Sequence, residues 1–134
     1  RSATGFDVRR LNMLLAVLEK RAGFKLGVKD VFLNMAGGLK VNDPACDLAV
    51  VAAVLSSNFD FAISSDICFA GEVGLSGEIR PVAQTDRCII EAARLGFRKI
   101  YVSSYAVLDG VDVSGTEVVK IADVPALCRN LFRL

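Results

Sequence analysis

The stretch from Pro44 to Ser57, Pro-Ala-Cys-Asp-Leu-Ala-Val-Val-Ala-Ala-Val-Leu-Ser-Ser, constrains this chain more than any other. Asn42-Asp43-Pro44 reads as a helix start. Asp43 caps the free N–H groups, and Pro44 takes the first helical position, where its missing N–H costs nothing. The helix predicted to follow, Ala45 to Ser57, is apolar nearly all round, so it must be a central element covered on several sides. One carboxylate, Asp47, interrupts it. Near a helix N-terminus the helix dipole favours that charge; the alternative is an ionic contact with an arginine across a subunit boundary.

The other elements are arranged around this helix. Asp7 is a suitable N-cap for a helix ending near Arg21 before Gly23. Along it Val8, Leu11, Leu15, Leu18 and Ala22 recur at spacings of three and four, which makes one buried stripe. Residues 31 to 36 read as a strand, Gly37-Gly38 as a turn and Leu39 to Val41 as a short continuation. Phe59 to Ile63 is ambiguous. Cys68 to Val73 and Glu78 to Val82 read as strands joined through Gly74-Leu75-Ser76-Gly77. A helix from Gln84 to Leu95, strands at Lys99 to Ser103 and Val118 to Ile121, and a helix from Val124 to Phe132 complete the chain. The expected class is α/β, with helices on a mixed, α+β-like sheet.

With 53% hydrophobic and 23% charged residues over 134 positions, the chain is expected to fold as one domain, residues 1–134, with a substantial core. No apolar run has the roughly 18 residues that span a bilayer, so no membrane partner and a cytoplasmic location are expected. The abrupt start suggests a fragment of a longer chain. The four cysteines, Cys46, Cys68, Cys88 and Cys128, form no C-x-x-C pair, which argues against a zinc ribbon or a redox motif.

The absence of histidine excludes Ser-His-Asp and Cys-His hydrolases, H-E-x-x-H peptidases and imidazole metal sites. There is no P-loop either. Gly71, Gly74 and Gly77 recur at every third position but lie where the backbone must turn. A nucleophile without histidine would need a lysine base of depressed pKa, and spacing alone pairs no serine with any lysine.

The net charge of +1 hides a segregation. Residues 1–40 carry eight basic and three acidic groups, residues 41–79 none and six, and residues 80–134 eight and six. Such polarity suits an anionic partner at one end, or head-to-tail contact between copies. Arg9 and Lys20 lie about 20° apart around the first helix, as do Arg10 and Arg21, and Lys25 follows. These five, with Lys29 nearby, are the candidate contacts to the phosphates of an anionic partner. Met13 and Val17, between the two stripes, are candidates for a protein interface.

Three separated motifs point to one family. Asn42-Asp43-Pro44-Ala45-Cys46-Asp47-Leu48-Ala49-Val50, the segment from Phe69 to Val82, and Glu91-Ala92-Ala93-Arg94-Leu95-Gly96-Phe97 resemble the C-terminal Lon-protease-like domain of the RadA (Sms) family of bacterial DNA repair and recombination proteins. Gly5 to Glu19 looks like the start of the same domain. The resemblance implies the fold of the Lon proteolytic domain, similar to the second domain of ribosomal protein S5. It also implies a hexameric ring, an N-terminal four-cysteine zinc finger and a RecA-like ATPase elsewhere in the longer protein, and ATP-driven branch migration. ATP, Mg and Zn would belong to those other parts and no cofactor to this domain. The implied partners are other copies of the chain, DNA, and recombinase and other recombination proteins.

Active Lon proteases place a serine after Lys-Asp-Gly-Pro and a lysine seven residues beyond a later proline. Matched on Pro44 and Pro81, those positions hold Ala45 and Cys88, so both halves of the dyad are replaced and no catalytic residue is expected. Cys46, one residue on, would turn about 100° away from the groove. Asp47, Glu72, Glu78 and Arg80 are candidates for a seam between subunits. Two functions follow: a non-catalytic scaffold and DNA-contacting domain of a RadA-type ATPase, or alternatively a Lon-type ATP-dependent serine peptidase or a residual peptide-binding module.

Overall fold

The computed structural model describes residues 1–133. Helix α1 (Val8–Ala22) begins as its sequence demands. Asp7 is extended, and its carboxylate accepts from the Arg9 N–H at 2.9 Å; Gly23 closes the helix in the left-handed region (φ 77°). Its buried face is wider than the expected stripe, because Leu14 and Val17 join Leu11, Leu15 and Leu18, while Val8 is 39% exposed at the helix mouth. The protein-interface role considered for Val17 is therefore overturned, since its side chain is already inside the domain; Met13 also packs on the core.

Two short strands, β1 (Ser2–Thr4) and β2 (Phe32–Asn34), pair in parallel beside α1. The strand expected over 31 to 36 is cut short because Ala36–Gly38 coils into a 3₁₀ turn, with Gly37 and Gly38 both at positive φ. Val41 survives as an isolated bridge to Phe6. Asp43 then caps a 3₁₀ turn, Pro44–Cys46, which runs into helix α2 (Asp47–Phe59). Helix α2 is central, with Leu48, Val51, Ala52 and Leu55 fully buried.

The main sheet has three parallel strands in the order β3 (Ile67–Ala70), β6 (Lys99–Ser103), β7 (Glu117–Ile121). Between β3 and β6 the chain makes an antiparallel hairpin, β4 (Glu72–Val73) with β5 (Ile79–Arg80), and then helix α3 (Thr85–Arg94). The fold is α/β, and its parallel and antiparallel pairings lie in separate sheets rather than in one. Side-chain alternation divides the core. Phe69, Tyr101 and Val119, in register, join α1, α2 and the C-terminal helix on one face; Cys68, Ala70, Ile100, Val102 and Val118 meet α3 on the other. The C-terminal segment is helical as expected, as α4 (Val124–Leu127) running on into a π turn, Cys128–Phe132.

The hairpin is fastened rather than free. Ile79 N–H donates to the Ala122 carbonyl, Val124 N–H to that of Gly77, and Ser103 Oγ to that of Ile79. Val73 and Ile79 are buried, and the turn rests on α1, where Gly77 lies against Val17 and the stem of Arg21. Gly71, where β3 gives way to β4, sits under Leu48, and a methyl group there would come within 2.9 Å of Ile79 Cγ2 and 3.1 Å of Leu48 Cδ2. Gly71→Ala is therefore expected to destabilise the fold by about 1–3 kcal/mol, measured as a lowered urea midpoint at unchanged slope.

Candidate functional site

The first turn of α2 is where the chain's chemistry is concentrated. Asp47 has no exposed surface, and its carboxylate accepts from Arg10 Nε at 2.6 Å and Nη2 at 2.5 Å, and from the Val73 N–H at 3.1 Å. Hydrogen bonding to Asp47 raises the Arg10 pKa above its ordinary value, against the effect of its partial burial. This places Asp47 within its own chain, so the contact across a subunit boundary is overturned; the arginine partner it was expected to find is Arg10. By the same bond Arg10 is removed from the phosphate-contacting group, since its fork is spent on Asp47.

The backbone donors at this helix mouth are occupied as well. Ala45 N–H donates to Asp43 Oδ1 at 2.9 Å and Cys46 N–H to the Asp43 carbonyl at 3.0 Å. Asp47 N–H turns back to the Pro44 carbonyl, and Leu48 N–H reaches that of Gly71 at 3.0 Å, while Gly71 N–H donates to the Ala45 carbonyl. An oxyanion needs donors aimed at it and otherwise free; these four are consumed by the fold.

An open groove of about 470 Å³ runs between this helix mouth, β3 and α3. It brings together Ala45 and Cys88, the two positions that counting from Pro44 and Pro81 matched to the serine and lysine of the resembling protease. Cys46 also lines it, contrary to the expectation that it turns away; residues 44–46 form a 3₁₀ turn ahead of the α-helix. Sequence reasoning missed Cys68 on the floor and Gln84, Arg87 and Glu91 on the rim. The last three, with Cys88, occupy the i, i+3, i+4, i+7 positions from the cap of α3 onward, a spacing that marks one face, with Ile89 turned to the core.

None of the thiols is poised for attack. Burial raises the Cys68 pKa to about 11, helped by the neighbouring Cys88. Cys46 and Cys88 are raised too, by burial first and then by Asp43 together with Asp47 or Asp86. No group of three or more Cys, Asp or Glu side chains suited to a metal occurs among the described residues. The groove thus offers a methyl group and protonated thiols, and the amides of the helix mouth beside it are occupied.

On the hairpin, Arg80 reaches Glu78 at 3.0 Å and Glu72 at 3.8 Å. The Glu78 carboxyl, held below its usual range by its own N–H and by Arg80, also accepts from Ser76 N–H. These candidate seam charges are partnered within the hairpin, though each side chain keeps about a third to a half of its surface exposed. Of the basic positions, Arg9 is exposed and 3.8 Å from Asp7, while Lys20, Arg21 and Lys25 are exposed with no acidic partner among the described residues. Lys29 donates to Asn58. No helix is long and apolar enough to cross a membrane among the described residues.

Comparison with known proteins matches residues 7–105, from the cap of α1 to just beyond β6, to the ChlI family, described as subunit ChlI of Mg-chelatase. The chain belongs to the ChlI family. It is 44% identical over 98% of its length to the DNA repair protein RadA of Streptococcus pyogenes serotype M3, covering 29% of that protein. It is 44% identical over 97% of its length to RadA of Bacillus subtilis, covering 28%, and 43% identical over 95% to RadA of Listeria monocytogenes, covering 29%. The chain spans a little under a third of the length of these curated relatives. The similarity extends over nearly the whole chain, as the three motifs imply, and the ChlI-type region fits the Lon-like domain of RadA proteins.

Two outcomes test the site. Arg10→Ala leaves Asp47 buried without its cation and should cost about 3–5 kcal/mol in urea unfolding; combining Arg10→Met with Asp47→Leu should recover part of that loss. For the groove, raising the thiol pKa favours the neutral form, so Cys68 alkylation should be slow near neutrality and climb with pH until about 11. At pH 8 such a thiol is about 0.1% thiolate against about a quarter for a free cysteine. Iodoacetamide labelling of the Cys68 peptide, read by mass spectrometry, should therefore run about two orders of magnitude slower than free cysteine.

Proposed function

We propose that this chain is a non-catalytic assembly and DNA-contacting domain of a RadA-type DNA repair protein. The observation that carries the reading is the groove, which Ala45 and Cys88 both line beside a helix mouth whose backbone donors are already bonded. A peptidase needs an activated nucleophile and a place for the oxyanion, and neither is available from these residues. Similarity to proteins named for DNA repair supplies the process.

In this proposal the longer protein is a cytoplasmic hexameric ATPase that drives branch migration with recombinase and other recombination proteins. ATP, Mg and Zn serve its other parts, a RecA-like ATPase and a zinc finger. This domain holds subunits in register and offers Arg9, Lys20, Arg21 and Lys25 to phosphates. Exposed cations displace condensed counterions from DNA, so affinity falls steeply with salt and is indifferent to sequence. The charges of Glu72, Glu78 and Arg80, half exposed on a fastened hairpin, form part of the contact between copies.

The test is fluorescence anisotropy with labelled DNA across a salt series. Lys20→Glu with Arg21→Glu should weaken binding of every sequence alike and lower the salt slope by about two. An unchanged slope removes this face from the proposal. Steady casein cleavage by the assembled protein with ATP, surviving rigorous purification, would overturn the non-catalytic assignment.

A further inference from the structure

Two independent filters, one in the sequence and one in the fold, single out the same aspartate. Of the ten aspartates, nine are followed by proline, by a β-branched residue or by a bulky side chain, whereas Asp109 precedes Gly110. The difference is chemical: an aspartyl carboxyl group can be attacked by the main-chain nitrogen of the next residue, and a Cβ on that residue hinders the approach. The fold holds most of the other carboxylates in place. Asp47 is buried under Arg10, those of Asp7, Asp43 and Asp123 accept from main-chain N–H groups, and that of Asp66 is held by Ser64 and Arg98. Asp109 has no hydrogen-bonded or ionic partner among the described residues, and both it and Gly110 are exposed. The pair stands in the segment between β6 and β7, at the centre of a turn that Val111 N–H closes on the Leu108 carbonyl by a long bond of 3.4 Å. Gly110 is in the left-handed region (φ 74°), its N–H makes no main-chain bond among the described residues, and nothing lies within 4 Å of where a Cβ would stand.

Independently of any role in DNA repair, we propose that Asp109–Gly110 is a modification site, where the main chain isomerises to isoaspartate and becomes a substrate for a carboxyl methyltransferase that uses S-adenosylmethionine. The Gly110 nitrogen bonds to the side-chain carboxyl carbon of Asp109, its proton and the carboxyl hydroxyl leave as water, and a cyclic succinimide closes. Water then opens the ring. Cleavage of the bond from the nitrogen to the original main-chain carbonyl carbon leaves the chain running through the side-chain methylene, with a free α-carboxylate; cleavage of the other bond restores aspartate. No electrons are exchanged, and water is the one reactant. The methyltransferase passes a methyl group from the sulfonium to that α-carboxylate, and the Gly110 nitrogen then expels methanol and re-forms the succinimide, which returns part of the chain to aspartate. The consequence for the fold lies next to the turn. Leu108, Val111 and Val113 pack on the cluster of Ile89, Ala92 and Val102 between α3 and the sheet. An added main-chain methylene at Asp109 changes the path of the turn that sets these side chains down, so the cover over α3 loosens.

The test ages the 134-residue chain at neutral pH for several weeks and samples it at intervals. Each sample is incubated with a protein-isoaspartate methyltransferase and S-adenosylmethionine labelled in its methyl group, and is mapped by electron-transfer fragmentation, which separates isoaspartyl from aspartyl peptides. Methyl acceptance should rise with time, and the isoaspartyl form should concentrate in the peptide that contains Asp109. Asp109→Glu keeps the charge but requires a larger ring, so the acceptance should be lost while the amide spectrum of the fresh protein is retained. In the aged wild-type chain, hydrogen exchange in α3 should be faster than in the fresh chain, and prolonged treatment with unlabelled S-adenosylmethionine and the enzyme should return aspartate at this position. Absence of methyl acceptance, acceptance undiminished in Asp109→Glu, or isoaspartate spread evenly over the other aspartates would overturn the site. Unaltered exchange in α3 after extensive conversion would overturn its effect on the fold. DNA binding by Lys20 and Arg21 is read separately and stands or falls on its own.

Discussion

A single buried carboxylate organises this molecule. Asp47 sits in the first turn of the central helix, where α1, α2 and the hairpin converge, and takes donors from two of the three: the Arg10 fork and the Val73 N–H. An ion removed from water is costly unless its charge is paired and its remaining lone pairs are filled. Arg10 supplies the charge and keeps 31% of its side chain in solvent, which reduces the desolvation on its side. The consequence is geometric: α1 can pack on α2 at the angle that brings Arg10 to Asp47, and β4 must start where Val73 N–H meets the same oxygen.

The fastening continues through Gly71. Because it has no side chain, the strand end and the helix mouth approach closely enough to exchange two backbone hydrogen bonds, Leu48 to Gly71 and Gly71 to Ala45. Those bonds stabilise the junction and also use up a donor that a helix N-terminus ordinarily leaves open. Asp43 takes two more through its carboxylate and carbonyl. Structural integrity at this point and chemical readiness draw on the same N–H groups, and here the fold has taken them.

Much of this was legible before the structure. The capping of α1 and α2, the burial of α2, the strand over Lys99–Ser103 and the hairpin turn follow from local residue chemistry, which acts within a few positions. Three features were not. Strand β2 was overestimated because Gly37 and Gly38 coil the chain into a turn one residue earlier than their spacing suggests. Cys46 lines the groove although one helical residue beyond Ala45 turns about 100°, because a groove this open takes in side chains well to either side of its centre. Arg10 was counted among the exposed cations because helical angle alone does not show which neighbour will cover a stripe. The acid on α2 announced that a cation was needed, but only the packing of α1 identifies Arg10 over Arg9 or Arg21.

The residues that tie the groove's helix mouth to the core and those that face into the groove are largely different sets. Asp43, Asp47, Gly71 and Pro44 are tied to the core by capping, ion pairing and close approach, so changing them disturbs the junction of three elements. Ala45 and Cys88 line the groove half-buried, and Cys88 also packs on the core between α3 and the sheet. Stability therefore constrains the helix mouth and the strand end beside it most strongly, and the groove's shape is maintained by that junction.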